Sequence, residues 1–151
     1  EHVVAVFYKN SEQEIRQVLA RYPFKMVQLY AGDVSPELVR SLKQKVLLAC
    51  RVREPADLEQ LDAYAADVDF FILDGAAPGS GQLVSAPIPR DFPYPFLLAG
   101  GLHIGNLELA AAYANCIGVD IASGIETDGV VDWLKIEAIV KACTDRLMAL
   151  E

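Results

Sequence analysis

Apolar positions in this chain gather into two kinds of segment that take turns. Six are short and almost continuously apolar: VVAVFY (3–8), KMVQLY (25–30), VLLACRV (46–52), VDFFILD (68–74), FLLAGG (96–101) and IGVDIAS (117–123). Rich in Val, Ile and Phe, they predict strands, and their nearly unbroken apolar character predicts strands covered on both faces. Between them lie segments with an apolar residue every three or four positions, which predict amphipathic helices: SEQEIRQVLARY (11–22), SPELVRSLKQ (35–44), PADLEQLDAYAA (55–66), GNLELAAAYA (105–114) and DWLKIEAIVKACTDRLMAL (132–150). Ser11 and Glu14 have capping-box spacing, and Ser35 with Pro36 suits an N-cap and first helical position. A long loop rich in Gly and Pro follows the fourth strand.

Alternating βα units predict a parallel sheet with helices outside it, either an open doubly wound sheet or a (βα) barrel, and periodicity does not choose between them. A length of 151 residues fits one domain with one core. No apolar run approaches the roughly 18 residues of a membrane span, and the N-terminus has no signal-peptide pattern, so no membrane partner is expected. The formal charge is -8, from 21 acidic and 13 basic residues, which argues against a nucleic-acid partner. Cys50, Cys116 and Cys143 are widely spaced, with no metal-ligand pattern; no metal is expected, and a reducing cytoplasm is the expected setting.

In parallel α/β folds the chemistry sits where strands end and loops begin. Two consecutive corners here end in small residues, AGG (99–101) and ASG (122–124). Backbone N–H groups at such corners can surround an anion without any lysine, which suits an acidic chain, and a phosphate is the natural guest. The plainer alternative is that the glycines only make tight turns; two such corners side by side favour phosphate.

The corners carry more than glycines. VQLYAGD (27–33), FFILDGAAPGSG (70–81), FLLAGGLHIGN (96–106) and VDIASGIETDG (119–129), followed by DWLKIEAIV (132–140), resemble the phosphoribosylanthranilate isomerase family of tryptophan biosynthesis. That family's corners read close to VQLHG, LLD then GGTG, AGGL with NP, and VDVSSGVE then PG and KD. The resemblance covers essentially the entire chain, in order and approximate spacing. It implies a (βα)8 TIM-barrel fold, of which residues 1–151 form a single incomplete domain holding six βα units. The implied reaction is an Amadori rearrangement of an aminoaldose phosphate to an aminoketose, an aldose-ketose isomerisation without a cofactor. Asp74 is implied as the general acid that opens the furanose ring, Gly100, Gly101, Ser123 and Gly124 as the phosphate site, and Asp120 as a residue near the substrate. Gln28, Tyr30 and Arg51 are further candidates for substrate contact. An aspartate donates a proton at neutral pH only if its pKa is raised, and burial beside Phe70 and Phe71 is the expected source. The bland alternative for Asp74 is a turn-capping role before Gly75.

The chain also departs from the family. The general base there is a cysteine in a Lys-Ile-Cys-Gly motif on the first strand, and an arginine after the second strand holds the anthranilate carboxylate; neither motif is present. VVAVFYKNS resembles the family's third strand, so two N-terminal βα units, at roughly 25–30 residues each, are expected to be missing. A homodimer or the missing segment would then cover the exposed strand edges. Cys50 is the one cysteine near a strand's C-terminal end, and alternation places it opposite Arg51, so only one of the two faces the interior. Tyr30 stands where the family usually has histidine, Ala122 replaces a serine, and VSAPIPRDF (84–92) replaces an FDW-containing stretch and its helix. His103 reads as a solvated helix start that could also meet an anion. The segment by itself is expected to bind a sugar phosphate without turning it over. The rival reading is a non-catalytic barrel relative acting as a phosphosugar-binding or interaction subunit. A different isomerase or an aldolase built on a similar phosphate-binding barrel is a weaker reading; an aldolase would use a Schiff-base lysine, and no strand-end lysine obviously serves.

Overall fold

In the computed structural model, which describes residues 3–75 and 88–148, the six apolar runs form six parallel strands. They are β1 (Val4–Val6), β2 (Met26–Tyr30), β3 (Lys45–Arg51), β4 (Phe70–Asp74), β5 (Phe96–Ala99) and β6 (Cys116–Asp120). Each pairs with the next in chain order. A doubly wound sheet reverses its strand order at a switch point. This sheet has no reversal, so the barrel-type alternative holds.

The helices follow their sequence signals where those signals are strong. α1 (Glu12–Arg21) starts at the expected capping box, with the Glu14 N–H donating to Ser11 Oγ at 3.3 Å and the Ser11 N–H donating to Glu14 Oε2 at 2.7 Å. α2 (Pro36–Ser41) has its Leu38 N–H donating to the Ser35 hydroxyl at 3.1 Å. The stretch read as a helix over 55–66 is shorter and mixed: α3 (Ala56–Glu59) tightens into a 3₁₀ turn at Gln60–Ala63, behind a Pro55 that offers no side-chain cap. The stretch over 105–114 is a 3₁₀ segment, Leu107–Ala112, in which no residue is buried. Only Leu109, Ala110 and Tyr113 pack there, each partly buried, which does little to offset the cost of nucleating an α-helix. Past β6, a two-stranded hairpin of β7 (Glu126–Thr127) and β8 (Val130–Val131) precedes α4 (Trp133–Met148). Asp128 and Gly129 turn it with φ of 53° and 76°, the left-handed pair that a two-residue hairpin requires.

Alternation divides the sheet into two faces. Val27, Leu29, Val46, Leu48, Phe71, Leu73, Phe96 and Leu98 pack on the helix side with Ile15, Leu38 and Leu61. Each such large side chain, fully buried, stabilises by about 1.5–3 kcal/mol. Leu47, Ala49, Ile72 and Ala99 form a second, smaller cluster on the other face, with Met26, Tyr30, Phe70 and Leu97 against it. Burial on both faces is why the strands read as unbroken apolar runs. Before β5, residues 88–95 contain no helix, and aromatic rings cover the helix side of the sheet instead. Phe92 meets Phe71 at 6.2 Å and Phe96 at 5.5 Å, edge to face, and Phe96 meets Tyr113 at 5.7 Å.

Candidate functional site

The registers of β3 to β6 set four residues side by side. Arg51 pairs with Asp74, Asp74 with Ala99, and Ala99 with Asp120. All four share the parity of the inner cluster and line one cavity of about 240 Å³ at the C-terminal end of the sheet. Gln28 and Tyr30 on β2, and Tyr8, Lys9 and Asp33 from the loops after β1 and β2, complete much of its wall. The sheet therefore curls enough for β1's loop and β6's last residue to face one space. Ala99 leaves Asp74 and Asp120 one strand apart on either side, about 10 Å between backbones at ordinary strand spacing. Protein crowding around the Asp120 carboxyl raises its pKa above the usual aspartate value, and the negative charge of Asp74 adds in the same direction. The expectation that Phe71 shields Asp74 does not hold: Phe71 lies on the helix side, and only Phe70 shares the aspartate's face.

The two glycine corners lie next to each other just beyond β5 and β6, outside the cavity's own lining. Gly100 and Gly101 adopt φ of 95° and 65°, where any other residue is strained. A Cβ on Gly124 would fall 1.9 Å from the Leu102 carbonyl oxygen, so the missing side chain lets one corner close on the other. Packing thus accounts for the identity of Gly124 without a ligand. Ser123 and Gly124 open a short 3₁₀ turn, Ser123–Ile125, whose own bonds begin with the Ile125 N–H to the Ala122 carbonyl at 3.2 Å.

Asn106 escaped the sequence reading. It is 5% exposed, and both ends of its amide are used on the glycine corner. Its Nδ2 donates to the Gly101 carbonyl at 3.1 Å, and its Oδ1 accepts the His103 N–H at 2.8 Å. The clue was an Asn five residues after a glycine pair. His103 is exposed, and its Nδ1 accepts the Gly105 N–H at 3.1 Å, which makes it part of the turn.

Cys50 points away from the cavity. Its thiol donates to the Asp57 carbonyl at 3.2 Å on the helix side, and burial, with Asp57's charge adding, pushes its pKa up to about 11. Such a thiol is a packing group with almost no thiolate at neutral pH. Arg51 is therefore the member of the pair that faces the interior. Tyr30 accepts from the Gln28 amide at 3.2 Å and meets the Tyr8 ring edge to face at 5.1 Å.

A family model for N-(5'-phosphoribosyl)anthranilate isomerase matches residues 1–142. The chain belongs to the N-(5'-phosphoribosyl)anthranilate isomerase family. The isomerase of Synechocystis sp. is 34% identical over 134 residues, which are 82% of this chain and 61% of that protein. The chain thus spans less than two thirds of that relative's length. The crystal structure of the Thermotoga maritima isomerase superposes with a TM-score of 0.74 at 28% identity, covering 91% of this chain and 70% of that one. A further isomerase, solved in complex with reduced 1-(o-carboxyphenylamino)-1-deoxyribulose 5-phosphate, gives a TM-score of 0.69 at 27% identity, over 91% of this chain and 69% of that one. The fold is that of the (βα)8 TIM-barrel family, with six βα units in this chain. Among the described residues, no helix is long and apolar enough to cross a membrane.

Proposed function

We propose that this chain forms the sugar-phosphate-binding part of an N-(5'-phosphoribosyl)anthranilate isomerase of the cytoplasm, and that residues 1–151 make one domain. The observation that carries this reading is the register row of Arg51, Asp74, Ala99 and Asp120, opening into one cavity beside two abutting glycine corners. In the reaction, Asp74 protonates the ring oxygen of the furanose, the ring opens to an iminium, and loss of the C2 proton gives an enolamine that tautomerises to the ketose. Asp120, on the opposite side of Ala99, stands near the sugar hydroxyls. Backbone amides at Gly100, Gly101, Ser123 and Gly124 hold the phosphate, where a fixed ring of donors stabilises a dianion in an otherwise acidic protein.

The step this segment does not supply is removal of the C2 proton. Cys50 faces away with a raised pKa, and no other cysteine lines the cavity among the described residues. Residues 1–151 therefore bind the sugar phosphate without turning it over. Isothermal titration with inorganic phosphate checks the binding half: one saturable site is expected, abolished by Gly100→Val and kept by Asp74→Asn. Absence of phosphate binding overturns the glycine-corner assignment, and turnover of phosphoribosylanthranilate by residues 1–151 alone overturns the missing base.

A further inference from the structure

Asp57 is the one buried carboxylate among the described residues, and the proposed reaction gives it no task. A carboxylate is costly to bury unless its oxygens are hydrogen-bonded, and these are. Its Oδ2 accepts the Arg53 N–H at 2.8 Å and the Glu54 N–H at 3.2 Å, and its Oδ1 accepts from the Arg53 guanidinium at 2.9 Å. The bonds from Arg53 hold the carboxyl below the usual aspartate pKa, so it is charged at neutral pH. The Asp57 backbone is tied as well: its carbonyl accepts the Cys50 thiol at 3.2 Å and the Gln60 amide at 3.0 Å. One residue thus joins the end of β3, the loop after it and the start of α3. Between Cys50 and Arg53, both held by Asp57, stands the buried Val52. Its N–H donates to the Asp74 carbonyl at 2.8 Å, where β3 and β4 both end. Losing that rung would loosen the tip of β4 on its β3 side.

We infer that Asp57 is the positioning residue for Asp74: by holding Arg53 and Glu54 it keeps the Val52 N–H on the Asp74 carbonyl and so sets the Asp74 carboxyl in the cavity. This rests on the isomerase reading, which makes Asp74 the proton donor, and adds the support that donor needs. A general acid acts only within hydrogen-bond reach of its target, and the residues behind it must hold it there to about half an ångström. Stability alone does not distinguish this role, since the same bonds also brace the loop.

Two measurements test it: amide hydrogen exchange, and titration with ribose 5-phosphate and with inorganic phosphate. In Asp57→Ala the Val52 amide is expected to exchange about tenfold faster, relative to the Leu48 amide in mid-strand, than in wild type. Wild type is expected to prefer ribose 5-phosphate over phosphate by about tenfold, the usual worth of a hydrogen bond to a charged group. Asp57→Ala loses most of that preference and binds phosphate as before, whereas Asp57→Asn, which keeps one oxygen for the two N–H groups, retains it. Asp74→Ala loses the same preference, and combining it with Asp57→Ala adds no further loss. Should Asp57→Ala not fold, Asp57→Glu, which moves the acceptor out by one methylene, is expected to give the same losses. The inference is overturned if Val52 exchange keeps pace with Leu48 in these variants, if the preference survives Asp57→Ala, or if the Asp57 and Asp74 losses add. A wild type that binds phosphate without preferring ribose 5-phosphate, while Val52 still depends on Asp57, would refute the role of Asp74 in the proposed reaction and leave its positioning intact.

Discussion

Asp120 is the residue at which the cavity's electrostatics become measurable. A carboxyl whose folded-state pKa is raised contributes stability that is complete below its unfolded value and is lost as pH rises through the folded one. Its causes here are crowding by protein and the neighbouring charge of Asp74. At neutral pH the fold therefore carries an unfavourable carboxylate at this position. Asp120→Asn is expected to be more stable than wild type at pH 7, and the gain should disappear as pH falls below the ordinary aspartate range near about 4. Because the side chain is still partly open to solvent, the gain should be ~1 kcal/mol or less. Urea melts at the two pH values check it; an equal effect at both would mean that packing, not ionisation, is responsible. The candidate carboxylates were picked out by the resemblance of the strand-end corners around Asp74 and Asp120 to the family's motifs. Their alignment was not, since it depends on the register of four strands, which is set by long-range pairing that no local pattern encodes.

At the scale of elements, the glycine corner is held by a side chain outside it. Asn106 uses both ends of a buried amide to fix the Gly101 carbonyl and the His103 N–H. Removing it leaves two backbone groups without partners, at a cost of about 1–3 kcal/mol. Asn106→Ala is expected to lose stability in that range and also to weaken phosphate binding, whereas Tyr113→Leu, which disturbs only the outer packing of Phe96, should lose stability and keep phosphate affinity. Titration of both variants below their unfolding temperatures separates the two roles; equal affinities would reduce Asn106 to a packing residue. Strands and well-capped helices were legible because hydrophobic runs and the Ser11–Glu14 box are local signals. The helix expected over 105–114 was not, because an alanine-rich stretch is helical only when a face is well buried, and this one packs only Leu109, Ala110 and Tyr113 partly against the core. The β7–β8 hairpin was carried by Asp128-Gly129, a genuine turn signal read only as part of a corner.

For the whole molecule, the open question is what lies against its two sheet edges. β1 and β6 each have a neighbour on one side only among the described residues. The surface near them is apolar: Val3, Val6 and Tyr8 at β1 are 62%, 56% and 55% exposed, and Ile117 on β6 is 55% exposed. Trp133 and Leu134, at the start of α4, are 74% and 75% exposed. Parallel strands with bare edges and apolar flanks recruit further strands. In the solved relatives, the share of chain left unmatched is close to the quarter that two of eight βα units would occupy. The Thermotoga maritima isomerase is described as dimeric. We therefore expect the 151-residue polypeptide by itself to self-associate, giving by light scattering a mass above 16.5 kDa that rises with concentration. Val6→Lys combined with Ile117→Lys places a charge at each edge and should return it toward the monomer mass. A wild-type mass of 16.5 kDa at every concentration would mean that the edges are not adhesive, and the apolar residues along them would then need a covering from within the chain.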